Sequence, residues 1–381
     1  MIEAEPPEPD RIEGAPHPRM TQRLFGQVRA EAEFLAALAG NRLHHGWLIT
    51  GPRGIGKATL AWRIARHLLA APATGEAGLF GAPEPAQSLD VAPDHPVVRR
   101  MAALSEPRLF LLRRPTDEKG EKLRTEITVD EVRKLSSFFG LSAADGGRRV
   151  AIVDAADDLN TSAANALLKQ LEEPPRGAVL LLVAHQPARV LPTIRSRCRT
   201  LRLQPLGADA LHAALSAALG PDAPDPEAAR TIAALAEGSV GTAVELALQD
   251  GVALYGRLVA LMDAMPNAPR APLIALAEEV ASGGAKDPHR LRMILTLTDR
   301  LLVRLARTGA EGSPPPEALP QEGRILCRLS PDPAAGRKWA DLTADITDRV
   351  RRGRAVNLDP ATLLVDMLLR IDAAAGSSAQ R

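Results

Sequence analysis

The segment Gly51-Pro52-Arg53-Gly54-Ile55-Gly56-Lys57 limits what this chain can fold into more than any other. It follows a compact apolar run, Gly46-Trp47-Leu48-Ile49-Thr50. After it, Leu60, Ala61, Ile64, Ala65 and Leu68 recur at helical period, which predicts a helix over 58–69. Strand, glycine loop and helix in that order form a phosphate-binding turn. The glycines let successive backbone N–H groups converge on phosphate oxygens, the helix contributes its positive end, and the lysine neutralises charge. Gly51, Gly54, Gly56 and Lys57 supply those parts.

Two oxygens that a hydrolysing site needs are missing. The residue after the lysine ordinarily carries a hydroxyl that holds magnesium. Here it is Ala58, and Thr59 comes one position late. The second acidic motif, Val150-Ala151-Ile152-Val153-Asp154, puts a carboxylate at the end of a buried strand, where open α/β sheets keep their ligands. A water-polarising glutamate would follow Asp154, but Ala155 stands there. Asp157 reads as a loop or cap residue. Gly51, Gly54, Gly56, Lys57, Thr59 and Asp154 therefore describe a degenerate nucleotide site. Two readings stand: weak binding of ATP or ADP, or a turn kept without a ligand.

Further strands are expected over 108–112, 149–154, 178–183 and 200–203, with helices over 29–38, 129–138 and, capped by Asn160, up to Leu171. Strands alternating with helices and apolar throughout imply a parallel α/β sheet covered on both faces. After Pro205 the strand signal ends. Helices are expected over 208–219, 226–237 and 242–248, then over 288–305, 339–352 and 360–373. The expected organisation is a disordered leader over 1–19, an α/β P-loop domain over 20–204, a small helical lid over 205–250, an all-α C-terminal domain over 251–373, and a flexible tail over 374–381.

Composition excludes several classes. Net charge is +1, so no global field draws the chain to nucleic acid or membrane. The run Arg349, Arg351, Arg352 and Arg354 reads as a solvated helix face. No apolar run is long enough to span a bilayer and no secretory signal is visible, so a cytosolic protein is expected. Two cysteines, Cys198 and Cys327, cannot build a four-cysteine zinc site. Cys198 reads as a small buried hydrophobe rather than a reactive thiol. His44 and His45 read as structural, or as packing beside an adenine.

Ser196-Arg197-Cys198 follows a strand end. A planar, permanently charged arginine at a sheet rim is the group that stabilises phosphate charge in a neighbour's site. A surface salt bridge is the plainer alternative, and Arg195 and Arg199 are rivals for the role.

Several blocks in order resemble the delta-prime family of bacterial clamp-loader subunits, relatives of the AAA+ ATPases. They are Leu24-Phe25-Gly26-Gln27, Leu43 to Leu48, Gly51 to Ala61, Asn165-Ala166-Leu167-Leu168-Lys169-Gln170-Leu171-Glu172-Glu173-Pro174-Pro175 and Ser196-Arg197-Cys198. Near the end, Asn357-Leu358-Asp359 and Leu364 to Ile371 add to the likeness. The resemblance implies an AAA+ domain, a lid, and a helical collar that holds a hetero-pentameric ring with gamma/tau motor subunits and a delta subunit. It implies loading of a sliding clamp onto primed DNA, with Arg197 reaching ATP held by an adjacent motor. No ATPase activity of its own is expected, although the assembly it joins has ATPase and DNA polymerase activity. Relatives often carry a zinc module after the first helix; the region 70–96 has no cysteine, so no zinc and no other metal is expected. The lid motif Glu237 to Ala243 lacks the arginine that motor subunits use to sense γ-phosphate. Competing readings are an active motor ATPase of the same family and an unrelated P-loop protein such as a nucleotide kinase.

Overall fold

The computed structural model describes residues 7–40, 43–71, 86–140, 147–282 and 288–378. The chain divides into two compact units. One holds the residues up to Gly220 together with Gly238–Gly241; the other holds Pro221–Glu237 and everything from Thr242 onward.

The first unit is built on five strands: β1 (Gly46–Thr50), β2 (Leu109–Arg113), β3 (Arg149–Asp154), β4 (Ala178–Ala184) and β5 (Arg199–Arg202). All pairings are parallel, in the order β2-β3-β4-β1-β5. The parallel α/β sheet expected from the sequence is thus present. β1 and β4 are buried along their whole length and β3 from Val150 onward. That is why their sequences read as continuous apolar runs rather than alternating ones. At the β5 edge only Leu201 points inward.

Helices α1 (Val28–Ala39), α2 (Lys57–Ala70), α3 (Pro96–Ala102), α4 (Val129–Gly140) and α5 (Thr161–Glu172) surround the sheet, and a single turn over Pro192–Arg195 precedes β5. Asn160 caps α5 by accepting from the Ala163 amide at 2.9 Å. The period of α2 holds, but a second side is buried as well: Trp62, Arg63 and Arg66 are as enclosed as Leu60 and Ile64. Their cover is the N-terminal segment. Of the leader over 1–19 expected as disordered, residues 1–6 lie outside the described ones and 7–19 follow a defined path. Arg63 donates to the Gln22 carbonyl, Arg66 to the Thr21 carbonyl, and the Trp62 indole to Asp10. Proline-rich composition suggested disorder, but buried ion pairs with distant residues fix the segment.

The second unit is helical among its described residues: Pro226–Ala236, most of Val240–Leu248, Gly251–Asp263, Arg270–Ser282, Pro288–Glu311, Glu322–Leu329, Pro333–Ala355 and Pro360–Ser378. The helix expected over 288–305 runs on to Glu311. The two longest helices touch backbone to backbone: a Cβ on Gly309 would lie 2.7 Å from the Gly336 Cα. Between them and their neighbours sits Glu322, 1% exposed. It accepts from the Tyr255 hydroxyl at 2.5 Å, from Arg304 at 2.7 and 2.9 Å, and from the Ala318 amide at 2.7 Å. The arginine run at 349–354 is partly compensated, with Arg349 on Asp366 at 3.1 Å and Arg351 on Asp348 at 2.8 Å.

Breaking a buried ion pair leaves an uncompensated charge, which costs about 3–5 kcal/mol. Glu322→Gln, which strips Arg304 of its counter-ion, is therefore expected to destabilise the helical unit by that amount in urea denaturation. A loss below about 1 kcal/mol would show that the pair does not hold these helices.

Candidate functional site

The phosphate loop leaves β1 at Gly51. Its glycines occupy left-handed backbone, with φ of +140° at Gly51, +76° at Gly54 and +97° at Gly56. The close approach is most severe at Gly54, where a Cβ would meet Ser239 Oγ at 2.3 Å and the Gly241 backbone at 3.1 Å. Each loop carbonyl from Gly51 to Ile55 accepts a hydrogen bond. Lys57 Nζ donates to Gly51 at 2.8 Å and to Pro52 at 2.5 Å. Ser239 Oγ donates to Arg53 at 3.0 Å, the Gly241 amide to Gly54 at 2.9 Å, and Gln27 Nε2 to Ile55 at 3.3 Å. Gln27 also binds both the amide and the carbonyl of Gln204, so one buried side chain ties the loop to the segment that follows β5.

Lys57 is 3% exposed, and burial pushes its ammonium down to about 8, against the opposing pull of Asp154 and Asp157. Asp154 is the last residue of β3 and pairs in register with Val183, which also pairs with Ile49. It therefore stands at the carboxyl edge two strands from the loop, about 10 Å across the sheet. Burial, reinforced by Asp10, raises its carboxyl to about 7. Asp157 accepts from the His185 amide at 2.9 Å and the Gln186 amide at 3.2 Å, which fixes the loop after β4. Its cap-like role matches the sequence reading. Ala58 and Thr59 lie half-buried in the first turn of α2.

Arg197 lies elsewhere. A Cβ on Gly46 would sit 3.2 Å from the Arg197 carbonyl and 3.3 Å from Cys198 Sγ, so Arg197 borders the amino end of β1. The five residues of β1 separate it from its own phosphate loop, a span of about 16 Å. Its guanidinium is half-exposed, 2.8 Å from Glu172 at the end of α5 and 3.1 Å from the Thr193 carbonyl. Of its rivals, Arg195 donates to the Pro187 carbonyl at 3.3 Å. Arg199 lies over the Trp47 ring at 5.2 Å and 3.4 Å from Glu33. His44 and His45 are at this same amino end, stacked at 4.4 Å, with His45 bonded to the Leu171 carbonyl at 2.9 Å. Of their two readings the structural one holds, because neither histidine is near the loop.

No local pattern in the residue order marks the polar cluster beside Asp154. His17 Nε2 lies 3.1 Å from Glu8 and 3.2 Å from Asp10. Arg113, the last residue of β2 and the register partner of Asp154, lies 2.9 Å from Glu8 and 3.6 Å from Asp10. These residues are far apart in sequence, and only the fold brings them together. No group of metal-ligating side chains occurs among the described residues; most of the cysteine-free region after α2, residues 72–85, lies outside them.

Burial raises the Cys198 thiol to about 12, whereas Cys327 is exposed. At pH 8 only about one Cys198 in 10⁴ would be thiolate, the reactive form. We expect a thiol reagent at pH 8 to label one cysteine per folded chain quickly, and the label to disappear in Cys327→Ala. Rapid labelling of Cys198 in the folded protein would contradict its burial.

Comparison with known proteins places these features. Residues 26–207 match the family model described as DNA polymerase III, delta subunit. Over 211 residues the chain is 42% identical to DNA polymerase III subunit delta' of Pseudomonas aeruginosa, covering 55% of this chain and 58% of that one. The delta' subunit of Bacillus subtilis is 28% identical over 233 residues, covering 61% and 60%. DNA polymerase III subunit tau of Escherichia coli is 29% identical over 351 residues, covering 91% of this chain and 46% of tau. The chain thus spans about half to three-fifths of the length of these relatives. Among solved structures, a DNA polymerase III gamma subunit-related protein of Thermotoga maritima is 16% identical with a TM-score of 0.40, covering 90% and 99%. Residues 26–207 thus match a DNA polymerase III delta-subunit family model, and delta' subunits of two bacteria are among the proteins this chain resembles.

Proposed function

We propose that the chain is a non-hydrolysing subunit of the DNA polymerase III clamp loader that donates Arg197 to ATP bound by a neighbouring motor subunit. One observation carries this reading: Arg197 and the chain's own phosphate loop lie at opposite ends of β1. An arginine side chain cannot cross about 16 Å, so any phosphate that Arg197 meets belongs to another chain. In such a position its fixed charge and planar fork stabilise the charge that develops as the phosphoryl group leaves.

The chain's own loop suits hydrolysis poorly. Ala58 and Ala155 offer no side-chain oxygen, Lys57 is engaged by the loop's own carbonyls, and Asp157 by two backbone amides. A magnesium–nucleotide pair would lack both the first-turn hydroxyl and the water-positioning carboxylate. ATP or ADP, if held, is held weakly, and no zinc is required. On this reading the chain works in the cytosol with gamma/tau motors and a delta subunit in a five-membered ring, and the assembly places a sliding clamp on primed DNA.

The test is ATP hydrolysis by the reconstituted loader with clamp and primed DNA. Arg197→Ala is expected to slow it at least tenfold while the ring still assembles, since such arginines contribute about 10³–10⁵ in rate. The isolated chain is expected to be silent. Hydrolysis by the isolated chain that Lys57→Ala abolishes would instead identify a motor ATPase, the reading that the intact loop glycines favour.

A further inference from the structure

The N-terminal segment contacts the elements that frame the phosphate loop. Glu8 and Asp10 reach the carboxyl end of β2, where Arg113 holds them beside Asp154. Their side chains are 8% and 5% exposed, and His17 lies between them. Arg19 closes the cluster with bonds of 2.7 and 2.8 Å to Glu8. The Trp62 indole, one turn into α2, donates to Asp10 at 3.4 Å and meets the His17 ring edge-on at 6.1 Å. Two residues on, the Ile12 side chain lies 2.9 Å from where a Cβ on Gly241 would be, and the Gly241 amide holds the Gly54 carbonyl. Farther along, Leu24 lies 2.5 Å from a would-be Cβ on Gly56.

The segment thus touches the residues beside Asp154, α2 just past the loop, and the Gly238–Gly241 strip on the loop. A nucleotide in a P-loop fold uses the space at the carboxyl edge between these elements. Here that edge already holds the carboxylates of Glu8 and Asp10 beside that of Asp154. Added phosphate would have to displace them, and buried carboxylates are costly to separate from their cationic partners.

We infer that residues 8–22 are an intramolecular strap that closes the nucleotide crevice of this subunit, so that ATP or ADP binds only when the strap is released. This goes beyond the reading of Arg197, which concerns the opposite edge of the sheet. It also assigns a reason other than the missing magnesium ligand for weak nucleotide binding.

The test uses the full chain and a fluorescent N-methylanthraniloyl ADP, with and without magnesium. Arg113→Ala and the pair Glu8→Gln with Asp10→Asn each loosen the strap without touching the loop. Each is expected to bind the probe at least tenfold more tightly than wild type. Deuterium exchange of the wild-type chain gives a second readout that needs no variant: saturating ADP is expected to raise exchange in 8–22. The inference is overturned if variants whose strap exchanges freely bind no more tightly. It is equally overturned if ADP binds the wild-type chain while protection of 8–22 is unchanged. Neither result bears on Arg197, whose effect is read from the partner's hydrolysis.

Discussion

Burial of β1, β3 and β4 on both faces governs the first unit. A strand enclosed above and below cannot carry working polar side chains along its length, because each would need a buried partner. Polar chemistry is therefore confined to the strand ends. The carboxyl edge gathers Gly51 to Lys57, Asp154 and Asp157, and the amino edge gathers His44, His45 and Arg197. The two sets are kept apart by the length of the strands rather than by any direct repulsion.

The same burial explains why the loop is held so firmly. Its carbonyls face side chains and backbone drawn from α1's flank, from α2 and from the Gly238–Gly241 strip. The neutral bonds are each worth about 0.5–1.5 kcal/mol net and the two from the Lys57 ammonium about 1.5–3 kcal/mol. Together they leave the loop little freedom to change shape. A firm loop with Lys57 turned onto its own carbonyls is a scaffold first and a ligand site second.

Much of this was legible from residue order alone. Apolar runs bounded by turns located the strands, and helical period located α2 and α5 with the Asn160 cap. The elements that escaped were those whose signal is tertiary. α3 is a short helix in proline-rich sequence. The burial of Arg63 and Arg66 depends on chain that precedes α2 by some forty residues. The cluster of Glu8, Asp10, His17 and Arg113 joins positions a hundred residues apart, and charge in a proline-rich stretch reads as solvation unless a partner is known. Arg197 was singled out by its motif. Its separation from the loop follows from strand register, which no local pattern encodes.

The contact between Gly309 and Gly336 sets a gauge for the helical unit. Glycine weakens a helix by roughly 0.5–1 kcal/mol relative to alanine, yet both long helices carry one where they cross. Gly336 would place a Cβ 2.8 Å from the Ala306 carbonyl, and Gly309 would place one 2.6 Å from the Asp332 carbonyl. Every possible replacement is larger, so drift at either position can only push the helices apart. The crossing is therefore already at its closest spacing, and any substitution at either glycine can only widen it.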